Sequence, residues 1–131
     1  MSNPTYHIEE RERMTEIIFY DTVDGKCPLQ DYLDSLEPKL LAKTLRTIDL
    51  LENNGINLRG PYSEPIGDGL FELRTKQGSD ITRVLYFFFS GNKAILTNGF
   101  TKKTKKTPRS EIELARKYKA DYERRNPNDK L

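Results

Sequence analysis

Hydrophobic and polar residues alternate with a period of two over residues 69–76, GLFELRTK. Because successive side chains of a strand point to opposite faces, this period predicts a β-strand with one apolar and one charged face. The charged face carries Glu72, Arg74 and Lys76. Three further runs, rich in β-branched and aromatic residues, predict strands at residues 16–21, 82–89 and 93–100.

Helical spacing of apolar residues predicts three helices. The first lies within residues 27–36. The second begins at Pro38 and ends at Gly55, because proline is favoured in the first turn of a helix and glycine just after its end. In the second helix the apolar positions are spaced by three and four residues, at Leu41, Leu45, Ile48 and Leu51.

The last helix is predicted to begin at Thr107 and Pro108, which offer an N-cap and a proline in the first turn. Ser110 and Glu113 fit a capping box, and Pro127 ends the helical pattern. The inner stripe of this helix comprises Ile112, Ala115, Tyr118 and Tyr122.

These elements predict an α+β fold, in which a small antiparallel β-sheet is flanked by helices in the order β-α-α-β-β-β-α. The 131 residues suffice for one domain, which we place at residues 15–125 between a flexible N-terminal tail, 1–14, and a C-terminal tail, 126–131. The longest apolar run, Val84–Phe89, is too short to cross a membrane, and the one cysteine excludes an internal disulfide. We therefore expect a cytoplasmic protein.

Positive charge is concentrated in the last quarter of the chain. From Phe100 to Leu131 there are eleven Lys and Arg against five Asp and Glu, a net charge of +6. The whole chain has 22 Lys and Arg and 20 Asp and Glu. Residues 1–99 therefore hold 11 basic and 15 acidic residues, a net charge of −4. This asymmetry favours a polyanionic partner, although a solvated helix face with a basic tail would have the same composition.

A cationic cluster is predicted on the charged face of the sheet. Arg74 and Lys76 are neighbours on one strand, Arg83 begins the next strand, and the lysines of residues 102–106 follow the last one. Such a cluster is suited to binding phosphate. In the alternative interpretation, Arg74 and Arg83 form salt bridges with Glu72 and Asp80.

Three motifs in this region, LFELR, RVLYFF and GFTKKTKKTPRSEI, occur together in this order and spacing. Because of these motifs, the chain resembles the RelE/HigB-type toxins of bacterial toxin–antitoxin systems. The resemblance covers residues 15–120 and is specifically to the phage-derived HigB-like branch. The resemblance implies a RelE-like fold and a ribosome-dependent endoribonuclease that cleaves mRNA. It also implies a cognate antitoxin as partner, often a helix-turn-helix protein.

The resemblance also assigns roles to the basic residues. It implies that Arg74, Arg83 and Lys102 are catalytic. Lys103, a near neighbour of Lys102, is also assigned to the catalytic set, and Lys76 is expected to contact RNA. Some members have a tyrosine near the start of the last helix, where this sequence reads PRSEIEL. Three other tyrosines, Tyr86, Tyr118 and Tyr122, do not match that position, so the group that transfers protons stays open.

RNA cleavage requires a base, stabilisation of the phosphorane and an acid for the leaving oxygen. Because arginine stays protonated, Arg74 and Arg83 can only bind phosphate and stabilise charge, whereas a lysine crowded by cations can supply some neutral amine. Phe100 is predicted to stack on a base of the RNA, or else to be a core aromatic residue. Lys105 and Lys106 are predicted to contact RNA. No set of acids suggests a metal site, so we expect no cofactor.

Two other functions remain open. One is a non-enzymatic gyrase inhibitor of the ParE kind, against which the basic residues argue. The other is an RNA- or ribosome-binding module without catalysis, which the absent tyrosine leaves possible.

Overall fold

A computed structural model describes residues 14–102 and 106–127 of the chain. In these residues it has the predicted α+β class, with three α-helices and one five-stranded sheet. The strands are β1 (Glu16–Phe19), β2 (Ser63–Gly67), β3 (Leu70–Gln77), β4 (Asp80–Phe89) and β5 (Lys93–Lys102). The helices are α1 (Pro28–Asp34), α2 (Pro38–Asn54) and α3 (Arg109–Arg125), and a short 3₁₀ helix, Gly55–Asn57, follows α2.

The strands lie in the order β1-β5-β4-β3-β2. The antiparallel meander β3-β4-β5 is confirmed, but the predicted element order was wrong by one strand, because β2 was missed. The sequence of β2, SEPIG, has no apolar alternation and contains Pro65, which a strand accepts mainly at a sheet edge. The prediction of a wholly antiparallel sheet was also wrong, since β1 pairs with β5 in parallel.

Each face of the sheet carries its own hydrophobic cluster. Helices α1 and α2 cover one face, where Leu29, Leu51 and Leu96 belong to the same cluster. Helix α3 covers the other face, where Ala115 packs with Leu85 and Phe87. The charged face predicted for β3 is therefore the face that α3 covers. None of the helices described is long and apolar enough to span a bilayer.

The predicted apolar side of α2 is confirmed at Leu41, Ile48 and Leu51 but not at Leu45. Leu45 is 42% exposed, whereas Thr44 and Thr47 are buried. Their hydroxyls bond to the sheet: Thr44 lies 3.0 Å from the hydroxyl of Thr82, and Thr75 donates to Thr47 over 2.8 Å. These hydrogen bonds satisfy the hydroxyls, so threonine can occupy buried positions on α2. The predicted ends of α2, Pro38 and Gly55, are confirmed.

Most of the predicted tails, residues 1–13 and 128–131, lie outside the described residues.

Candidate nucleic-acid interface

Strand register brings the predicted site residues together in two rows across the sheet. Arg74 on β3 lies opposite Arg83 on β4, which in turn lies opposite Phe100 on β5. In the next row, Ile81 on β4 lies between Lys76 on β3 and Lys102 on β5. The β3–β4 connection is a two-residue turn, Gly78-Ser79, so both strands extend beyond their predicted ends at Lys76 and Thr82.

A β-bulge in β5 directs Lys102 to this face. The register shifts between Val84 and Tyr86, so that two β5 residues, Thr97 and Asn98, lie opposite Leu85. An extra residue of this kind moves every later side chain of its strand to the opposite face. Because of the bulge, Lys102 lies on the face of Arg83 rather than on the face covered by α1.

A buried carboxylate lies at the centre of the arginine pair, Arg74 and Arg83. Glu72 is fully buried, and its Oε1 accepts hydrogen bonds from Arg74 Nε at 2.6 Å and from an Arg83 guanidinium nitrogen at 3.0 Å. Its Oε2 accepts a hydrogen bond from the hydroxyl of Thr107. Arg74 also pairs with Glu64 at 3.1 Å.

These contacts bear on the two interpretations of the arginine pair. Salt bridges to Glu72, the alternative interpretation, are present for both arginines. The Arg83 side chain is only 1% exposed, so its guanidinium lies in the protein interior. The Arg74 side chain is 29% exposed and lies nearer the surface. Arg83 therefore contributes to the floor of the site, and Arg74 is the arginine more accessible to a ligand.

Thr107 has a role that its sequence position does not suggest. Helix α3 begins at Arg109, Pro108 occupies the N-cap position, and no side chain of the described residues caps the helix. The predicted Thr107 N-cap and the capping box of Ser110 and Glu113 were therefore wrong. The Thr107 hydroxyl binds the carboxylate of Glu72 instead, and an ionised acceptor forms a stronger hydrogen bond than a neutral one.

A cleft of about 820 Å³ opens beside the arginine pair, at the edge of β3 that β2 leaves uncovered. We call it the edge cleft. Five cationic side chains and one acidic side chain, Glu64, line it. The cationic residues are Lys43, Arg46, Arg74, Lys76 and Arg83. Its positive charge suits an anionic ligand.

Sequence reasoning missed Lys43, Arg46 and Tyr62 as members of this cleft. Lys43 and Arg46 are three residues apart on α2 and share a side of the helix, but charged helix positions usually only face solvent. The ammonium of Lys43 lies 3.4 Å from the carbonyl oxygen of Lys76, which brings α2 to the β3 edge. Tyr62 precedes β2 and is 43% exposed.

The remaining predicted residues have different placements. Lys102 and Lys106 are exposed on either side of residues 103–105, and Lys103 and Lys105 lie outside the described residues. Phe100 is half-buried and packs against the hydrophobic cluster under α3. This packing supports its interpretation as a core aromatic, and base stacking by Phe100 stays a prediction.

The three tyrosines considered as proton carriers are occupied in packing. Tyr86 is buried, its hydroxyl bonds to Ser63, and burial raises the pKa of its phenol. Tyr118 stacks on Tyr20, and burial also raises its pKa. Tyr122 packs against Phe89. Among the described residues, no three His, Cys, Asp or Glu side chains are grouped to hold a metal ion.

Fold and site together describe a small α+β protein with a cationic cleft on its sheet. A family model for phage-derived Gp49-like proteins (DUF891) matches residues 31–120, which is more than half of the chain. The protein therefore belongs to this Gp49-like family, a family of RelE-like toxins of toxin–antitoxin systems. No curated protein matches the sequence significantly.

Proposed function

We propose that the protein is the toxin of a toxin–antitoxin system of the HigB-like branch, and that it cleaves mRNA on the ribosome without a metal ion. The observation that carries the proposal is the convergence of Arg74, Lys76, Arg83 and Lys102 on one sheet face beside the edge cleft. Family membership supports the toxin role. Its partners are then mRNA, the ribosome and an antitoxin in the cytoplasm.

In the proposed reaction, the 2′-oxygen attacks the adjacent phosphorus and the bond from phosphorus to the 5′-oxygen breaks. The 2′-hydroxyl loses a proton and the leaving oxygen gains one. We assign to Arg74 the stabilisation of the additional negative charge on phosphate, because a guanidinium N–H donates to phosphate oxygens and keeps its positive charge. We assign proton transfer to Lys102, which is exposed at the end of β5.

The test is single-turnover cleavage of mRNA on programmed ribosomes by wild type, Lys102→Ala and Lys102→Arg. We expect both variants to lose about ten- to a hundredfold in rate, because arginine cannot release its proton. Lys26→Ala, which removes an exposed charge elsewhere, is the matched control and should retain full rate. Full activity of Lys102→Arg would show that Lys102 contributes only charge.

A second candidate is a binding module that blocks translation without cleaving RNA. The observation in its favour is that Tyr86, Tyr118 and Tyr122 are all engaged in packing. Growth arrest with intact mRNA on the ribosome would support this function and refute the proposed one.

A further inference from the structure

We propose that the α2 side of the edge cleft is a second subsite, which binds single-stranded RNA next to the nucleotides that are cleaved. This subsite consists of Lys43, Arg46 and Tyr62. The inference rests on the proposed function for its substrate, but its residues are separate from those proposed to act on the scissile phosphate.

The geometry of the β3 edge creates the subsite. Strand β2 pairs with β3 only as far as Leu73, and Tyr62 accepts the next backbone hydrogen bond, from Arg74. Beyond that point no described strand pairs with this edge of β3, and side chains of α2 reach it instead. Lys43 reaches the carbonyl oxygen of Lys76, and the Thr47–Thr75 hydrogen bond holds the helix against the strand. The cleft therefore continues from Arg74 to α2 without interruption.

The chemistry of the lining favours a nucleic acid. Lys43 and Arg46 add two positive charges to the three from the sheet. The lining also includes Leu50, Pro61 and Tyr62, and Tyr62 is 43% exposed. Clefts that combine cations with an accessible aromatic side chain bind single strands, because the cations contact phosphates and the ring stacks on a base.

The size of the cleft agrees with this ligand. A volume of about 820 Å³ lies within the range of about 300–1,000 Å³ found for pockets that hold small ligands, so it can accommodate one or two nucleotides. An acidic peptide would also be attracted by the cations but would not require an exposed aromatic ring. A role for Tyr62 therefore distinguishes the two ligands.

The experiment measures binding of a fluorescent, 2′-O-methylated single-stranded oligoribonucleotide of about twelve nucleotides by anisotropy. The methyl groups block cleavage, so the result does not depend on catalysis. Lys43→Ala/Arg46→Ala is compared with Lys26→Ala/Lys39→Ala, a control that removes the same charge from exposed positions outside the cleft. Tyr62→Ala is compared with Tyr62→Phe.

We expect the cleft double variant to bind at least about tenfold more weakly than its control. Its log–log salt slope should fall by about 1.4, the value for two phosphate contacts on a single strand. Tyr62→Ala should bind about tenfold more weakly, and Tyr62→Phe like wild type.

Equal losses in the two double variants would overturn the proposal, and so would a polyglutamate peptide that binds the cleft with the same dependence on Tyr62. If the expected pattern holds but mRNA is not cleaved on the ribosome, the subsite stands and the proposed catalysis fails.

Discussion

Replacing Arg83 by methionine tests whether the buried ion pair with Glu72 stabilises the fold. The substitution keeps an apolar chain of similar length but leaves a fully buried carboxylate without one of its cationic partners. Removing one member of a buried pair costs about 3–5 kcal/mol. Because Arg74 and Thr107 still donate to Glu72, we expect the lower limit, a loss of about 3 kcal/mol.

The assay is urea unfolding at neutral pH, together with a thermal melt in which this loss corresponds to a fall of about 10 °C. The matched control is Arg74→Met. Because the Arg74 side chain is 29% exposed, water can replace part of its contacts, and we expect a loss of only about 1 kcal/mol.

The double variant Glu72→Leu/Arg83→Met removes both charges at once. We expect it to recover most of the loss and to lie within about 1 kcal/mol of wild type, since an apolar pair replaces a buried ion pair at little cost. The reasoning is refuted if Arg83→Met loses less than about 1 kcal/mol, or if the double variant is as unstable as the single one. Loss of activity in an Arg83 variant therefore reports on stability as well as on chemistry.

The remaining predictions concern acid stability and the α1–β5 contact. The hydrogen bond from Tyr20, and after it that from Arg125, lowers the pKa of Asp121 below its ordinary value of about 3.9. The stability that ionised Asp121 contributes is therefore present above that pH. It is lost as the pH falls through the pKa of the folded state. Unfolding free energies measured across this acid range should depend less on pH in Asp121→Asn, and an unchanged dependence would contradict this assignment. Gly99→Ala should cost about 1–3 kcal/mol in urea unfolding, because its Cβ would lie 2.5 Å from the Tyr32 ring. In a Tyr32→Ala background this cost should largely disappear, and a persistent cost would point to backbone conformation instead.

Residues whose neighbours are local in sequence were predictable. The alternation of β3 correctly assigns Glu72 and Arg74 to one face, and the hairpin places Arg74 near Arg83. Pro38 and Gly55 mark the ends of α2 because proline and glycine have strong conformational preferences of their own.

Features that depend on several distant segments were not predictable. The pattern of β3 does not reveal that Arg83 and Thr107 would enclose Glu72, so the burial of Glu72 was unexpected. The contact between Thr107 and Glu72 joins residues 35 positions apart in sequence. The edge cleft arises where β2 stops and α2 begins to cover β3, and no single segment encodes that junction.

The parallel pairing of β1 with β5 links completion of the sheet to the order of synthesis. Glu16 pairs with Lys93, which the ribosome adds 77 residues later (93 − 16). At about 5–20 residues per second, β1 waits about 4–15 s for its partner strand. The same strand that pairs with β1 ends at Lys102, the lysine proposed to act in catalysis. A nascent chain that stops before β5 can complete neither the sheet nor the proposed site. Abortive translation products would then lack the lysine proposed to act in catalysis.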